Sequence, residues 1–168
     1  MSAPEFSRPV DRRHLPAAPL SLAADEGERK ALARRFGLVA IGRLEAEIAL
    51  EAEGETVAAR GALSAEIVQT CAVTGDDLPV SIREPFALRF APEAPVSAEE
   101  LELTREELDE IPYSGTSFDL GEAVAQSLAL AIDPFATGPD ADRMRKEQGL
   151  LDEAASGPFA ALAALKKR

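Results

Sequence analysis

The sequence predicts an α+β protein: an antiparallel β-meander or partly closed barrel packed by a central helix, with short terminal helices and mobile ends. Three observations carry this. Apolar residues alternate with polar ones from about Val39 to Phe90, interrupted only by turn signals. A capped, strongly apolar helical stretch follows at Asp119 to Pro134, and the chain ends are rich in Pro and charge. The 168 residues suffice for one core. We divide them into an extended arm at 1–22, a core domain at 23–135, and a mobile linker with a short C-terminal helix at 136–168.

In the arm, four prolines within Met1 to Leu22 leave little periodicity beyond a short edge strand at its apolar points. Ser21 or Asp25 then caps a helix running through Arg35, with Glu26 and Lys30 spaced i,i+4 and Gly37 closing the end. From Val39 the period becomes two. Leu44, Ala46, Ile48, Leu50 and Ala52 share one face, and Arg43, Glu45, Glu47, Glu51 and Glu53 share the other.

Glu53-Gly-Glu55 turns the chain into a second strand, Thr56 to Thr70, whose apolar residues Val57, Leu63, Ala65, Ile67 and Cys71 fall on odd positions. At Thr74-Gly-Asp-Asp77 a hairpin follows, Gly75 accepting positive φ without steric cost. The third strand, Leu78 to Phe90, keeps its apolar residues even, and Pro85 places part of it at an edge or bulge. Between Pro92 and Pro112 lies an acidic run with Arg105 its single basic residue. Asp119 and Glu122 then have the spacing of a capping box. Leu120, Ala123, Val124, Leu128, Leu130, Ala131 and Ile132 leave this helix wetted on one narrow side, and Asp133-Pro134 stops it. Asp140 to Gln148 reads as mobile, while Phe159, Leu162 and Leu165 line one face of a short terminal helix.

Composition narrows the chemistry. One cysteine permits neither an intrachain disulfide nor a multi-thiolate metal site, so no metal and no cofactor is expected. No catalytic residue is assigned, because a Cys71 nucleophile needs a base and the only histidine, His14, lies in the arm. No apolar run reaches membrane-spanning length and no signal-peptide pattern opens the chain, which points to the cytoplasm.

The net charge of −12 argues against a surface that grips phosphates throughout, but it is unevenly spread. Residues 1–36 carry seven Lys/Arg against five Asp/Glu, 37–139 carry five against twenty, and 140–168 carry six against five. The basic ends therefore supply the candidate RNA contacts, Arg29, Lys30, Arg34, Arg35, Lys166 and Lys167. The preferred reading of the first four is a helix C-terminus whose dipole favours cations, with RNA contact the second reading.

Taken together, the Thr70-Cys71-Ala-Val73-Thr74 hairpin, the strand ending Phe86-Ala-Leu-Arg-Phe90, the acidic spacer, Phe118-Asp-Leu-Gly-Glu-Ala-Val-Ala-Gln-Ser-Leu-Ala-Leu-Ala-Ile-Asp-Pro134 and the tail Pro158-Phe-Ala-Ala-Leu162 resemble the YceD family over roughly residues 38–165. Its members are large ribosomal RNA subunit accumulation proteins. The resemblance implies a non-enzymatic role in accumulation or processing of that RNA, with the RNA or a basic ribosomal protein as partner. Candidate partner-binding residues are then Thr70, Cys71, Val73 and Thr74 at the hairpin, Asp119, Leu120, Gly121 and Glu122 at the helix start, and Phe159 and Leu162 in the tail. Many relatives carry Cys-x-x-Cys at the hairpin and more cysteines after the helix. This chain has neither, so metal binding is not carried over.

Overall fold

A computed structural model describes residues 4–93 and 110–148. Phe159, Leu162, Leu165, Lys166 and Lys167, and the acidic run at 94–109, lie outside the described residues. The chain forms β1 (Pro9–Asp11), a 3-10 turn (Arg12–His14), β2 (Leu20–Ala23), α1 (Glu26–Phe36), β3 (Ala40–Glu53), β4 (Thr56–Thr70), β5 (Asp77–Pro92), β6 (Glu110–Tyr113), β7 (Ser117–Asp119), α2 (Leu120–Ala131) and α3 (Ala141–Glu147).

The alternating stretch builds the expected meander. β3 pairs with β4 and β4 with β5, both antiparallel, in registers such as Ala46↔Leu63 and Ala65↔Ile82 that set apolar residues side by side on one face. β2 adds to β3, and the sheet runs β2-β3-β4-β5-β6. It is open and does not close into a barrel. β6 lies parallel to β5, a neighbour that no hairpin can supply and that requires a crossover. Along β5, β6 covers only Arg89 to Pro92. Pro79 and Pro85 fall on one parity of this strand, so the N–H each lacks would face the uncovered side.

The core face carries Leu44, Ile48, Leu63, Ile67, Phe86 and Phe90, all buried. α2 lies over it with Leu120, Ala123, Val124, Ala125 and Leu128, and Phe118 stacks on Phe90 at 4.1 Å between ring centroids. Burying a leucine here contributes about 1.5–3 kcal/mol, which is what holds a helix of twelve residues in place. The wet side of α2 is broader than its sequence suggested. Gln126, Ala129 and Leu130 are all exposed, Leu130 by 89%, because residues spaced i, i+3 and i+4 share the helix face turned away from the sheet.

α1 buries only Leu32 and Ala33 and depends on its ends. Asp25, not Ser21, caps it, in a reciprocal box with Glu28. Ser21 lies within β2. Gly37 ends the helix in the left-handed conformation, φ 66°.

Two segments depart from expectation. The described part of the arm is extended, yet it belongs to the core. Phe6 is fully buried, β1 pairs with β7, and β2 is the sheet's edge strand. The stretch after Gly138, read as mobile, contains α3, whose first residue Ala141 is buried and whose side chains pair locally, as Arg145 with Asp142 at 3.1 Å.

The arm reaches the core at Gly121. A Cβ there would lie 2.7 Å from the Phe6 carbonyl oxygen and 2.8 Å from Arg8 N, both backbone atoms. Gly121→Ala is expected to displace residues 6–8 and to destabilise the fold by about 1–3 kcal/mol, read from denaturant unfolding. Hydrogen exchange at the Leu120 amide, which donates to the Arg8 carbonyl at 3.0 Å, should accelerate selectively.

Candidate functional site

The start of α2 is a junction of three chain segments. Asp119 Oδ1 accepts from Glu122 N at 3.1 Å, the ordinary capping bond, and from Arg8 N at 2.8 Å, while Oδ2 accepts from Ser7 Oγ at 2.6 Å. Arg8 continues outward and forms a fork with Glu28 at 2.7 and 2.9 Å. Its Nη2 also donates to the Ala23 carbonyl at 3.1 Å. On the other side, Arg35 forks onto Glu122 at 2.8 and 3.0 Å and reaches Glu5 at 3.0 Å. The Glu122 and Glu28 carboxyls are held below the usual range, chiefly by these guanidinium hydrogen bonds.

This geometry corrects one expectation and bears on another. Glu122 does not complete a capping box, because Arg35 takes its carboxylate instead. Of the candidate partner-binding residues here, Leu120 and Gly121 are buried, while Asp119 and Glu122 are half-buried, hold hydrogen bonds within the chain and line a pocket with Tyr113 and Gln126.

At the far end of α2 the Cys71 hairpin meets the segment that follows the helix. Cys71 N donates to Asp76 O at 2.8 Å, closing the turn around Gly75. Gln69 Nε2 donates to Asp133 O at 2.7 Å, and Ala72 N to Ala136 O at 3.1 Å. Cys71 Sγ accepts from Thr74 N at 3.4 Å and from Gly138 N at 3.3 Å. Read from the sequence as a small buried hydrophobe, the cysteine is buried, 3% exposed, but acts through its sulfur as an acceptor joining hairpin and linker. Hydrogen bonding from Thr74, first through its side chain and then its N–H, lowers the thiol from 9.0 to about 6, aided by the Gly138 and Val73 amides. Of the four candidates at the hairpin, Thr70 is exposed and Val73 and Thr74 are partly exposed.

The basic cluster of α1 is split in the same way. Arg35 is committed to Glu122 and Glu5, whereas Arg29, Lys30 and Arg34 line a groove between α1 and the start of β3. Across the sheet's open face, Glu45, Glu47, Glu51 and Glu53 of β3 project to solvent. Arg43 pairs with Glu45 at 3.2 Å and Glu66 at 3.5 Å.

Sequence reasoning missed Glu5, Arg8 and Glu28 as members of the junction, since an Arg between Ser and Pro carries no local signal. It also missed Gln69, whose position on the core face of β4 was the available clue.

The described residues thus define an open-sheet α+β protein that presents faces and grooves, with its one thiol saturated by hydrogen bonds. Among them no group of three or more His, Cys, Asp or Glu is placed to hold a metal, and no helix is long and apolar enough to cross a membrane. The chain belongs to the YceD family: residues 59–166 match the model described as large ribosomal RNA subunit accumulation protein YceD. That description links it to accumulation of the large-subunit RNA. The match begins within β4 and leaves β1, β2, α1 and β3 before it. No curated protein and no solved structure matches the chain.

Two outcomes check the geometry. In a double-mutant cycle of Arg35→Ala and Glu122→Ala, denaturant unfolding should return a coupling of about 1 kcal/mol, the two-bond geometry offsetting partial exposure. For Cys71, the folded thiol titrates near 6 and the unfolded one near 9.0. Its extra stabilisation is therefore complete above 9, grows between 6 and 9, and is lost as pH falls through 6. The gap in thermal midpoint between the native chain and Cys71→Ala should widen across that window.

Proposed function

We propose that this chain supports accumulation or processing of large-subunit ribosomal RNA by binding and not by catalysis, with a basic ribosomal protein, pre-ribosomal RNA or both as its partner. The family match over residues 59–166 carries the reading. Charge placement favours the protein partner. Arg8 and Arg35 are tied into ion pairs that join distant segments of the fold, and Arg13, Arg43 and Arg145 into exposed pairs, while Glu45, Glu47, Glu51 and Glu53 stand together on an open sheet face.

Catalysis by Cys71 finds little support. Its sulfur is bonded to backbone amides, and the His14 imidazole is an exposed group whose neighbour is Asp11, 3.7 Å away. The alternative of a docking module acting through Phe159, Leu162 and Leu165 concerns residues outside those described. The basic tail contacts Lys166 and Lys167 fall there as well.

Affinity recovery of the full chain from cells is expected to enrich large-subunit ribosomal proteins, with or without their RNA, in a salt-sensitive manner. Charge reversal at Glu47→Lys with Glu51→Lys should reduce that recovery severalfold while leaving the unfolding midpoint within about 0.5 kcal/mol of the native value. Recovery of neither ribosomal protein nor ribosomal RNA above background would overturn the proposal.

A further inference from the structure

The groove between α1 and the start of β3 has a chemistry unlike the rest of the acidic surface. Its volume is about 540 Å³. Leu38, Val39 and Ile41 form an aliphatic floor, and Val39 is 50% exposed although it belongs to no charged or turn motif. On α1, Arg29, Lys30 and Arg34 form the rim together with one carboxylate, Glu26, and Lys30 and Arg34 stand one turn apart on the same face.

These cations are available at small cost. Arg34 makes no ion pair among the described residues, and Lys30 holds only Glu26, at 2.6 Å with both side chains over 70% exposed. Such an exposed pair contributes little and exchanges readily for an incoming carboxylate. Arg29 spends one Nη1 bond on the Ala24 carbonyl, at 2.7 Å.

A backbone feature adds to this. β2 pairs with β3 only from Glu45 to Ile48, and Ala24 N donates to Leu44 O just beyond. From Ala40 to Arg43, therefore, the β2 side of β3 has no strand partner among the described residues, and this open edge borders the groove. A register shift between Ile41 and Arg43 bends the strand there.

We infer that this groove binds an acidic peptide segment carrying aliphatic side chains, laid in extended form along the β3 edge from Ala40 to Arg43. The aliphatic residues enter over Leu38, Val39 and Ile41, the carboxylates meet Lys30 and Arg34, and the peptide backbone pairs with the strand edge. Single-stranded RNA shares the negative charge but fits less well. The lining has no aromatic ring on which a base would stack, and an open strand edge offers a pairing pattern that amides match and phosphates do not. The partner proposed above meets the carboxylate face of β3, whereas this groove is rimmed by cations, so this partner is additional and stands or falls separately.

The test uses the full chain and fluorescence anisotropy with three labelled probes: a short peptide alternating leucine and glutamate, the same peptide with lysine for glutamate, and an oligouridylate. The acidic peptide is expected to bind saturably and to lose about tenfold in affinity with Arg34→Glu and with Val39→Asp, both surface changes, but not with Phe135→Ala. It should also slow amide exchange at Ala40 to Arg43. If Val39→Asp lowers the unfolding midpoint, Arg34→Glu and the exchange pattern decide. The inference is overturned if the acidic peptide fails to bind, if it binds regardless of Arg34→Glu, or if the lysine peptide or the oligouridylate binds as tightly.

Discussion

The Asp119 carboxylate is the point on which the packing of the N-terminal arm turns. A helix leaves its first amides without partners, and a carboxylate at the cap satisfies one of them while sitting at the positive end of the dipole. Here the same oxygen that accepts from Glu122 N also accepts from Arg8 N, and its partner oxygen accepts from Ser7. One cap thus seats a segment more than a hundred residues away in sequence. Once Arg8 is fixed, its guanidinium falls onto Glu28, which is itself the reciprocal member of the α1 capping box. The two helix starts are therefore coupled through a single arginine. Gly121 permits this only because it has no side chain to stand between α2 and the Phe6 carbonyl.

The junction also shapes what the surface has left to offer. The chain sets 18 Lys/Arg against 30 Asp/Glu, and the fold uses several of its cations for ties between segments: Arg8 to Glu28, Arg35 to Glu122 and Glu5, Arg43 to Glu45 and Glu66. What remains is partitioned by geometry. The outward face of β3 keeps carboxylates because alternation puts every second residue there, and α1 keeps Lys30 and Arg34 because only the face with Leu32 is buried. An acidic sheet face and a cation-rimmed aliphatic groove therefore stand on the same small protein.

Much of this was legible in the residues. Alternation located β3, β4 and β5 within a few positions because one buried face forces a period of two, and the apolar stripe with Asp119 and Pro134 located α2 for equally local reasons. What failed was tertiary. The capping-box spacing at Asp119 and Glu122 was correct, but the Glu122 side chain has a choice that spacing cannot see, and Arg35, brought near by the fold, is the better partner. Phe6 lies between Glu and Ser with no periodic neighbour, so nothing in the arm announced that it fills the core. Closure of the sheet was equally hidden. Whether β6 meets β2 or stays at an open edge depends on a parallel crossover, which has no local signature.

Cys71 illustrates the same limit in a single side chain. Its place on the odd face of β4 predicted burial correctly, and a buried cysteine is usually read as a small hydrophobe. Alanine would meet that need equally well. Yet the sulfur lies where two backbone amides, Thr74 and Gly138, have no other acceptor assigned, and one of them comes from the segment beyond α2. With Gln69 holding Asp133 and Ala72 holding Ala136, the hairpin tip and the exit of the helix become one piece. Thr70, Val73 and Thr74 are thereby carried in fixed relation to the exposed Phe135, 80% accessible. A thiol suits this position because it is large enough to fill the turn and polarisable enough to accept two weak bonds. Hydrogen bonds from the Thr74 side chain and from those amides also favour the ionised sulfur, which is why the thiol is lowered to about 6 despite its burial, and alanine would offer them no acceptor.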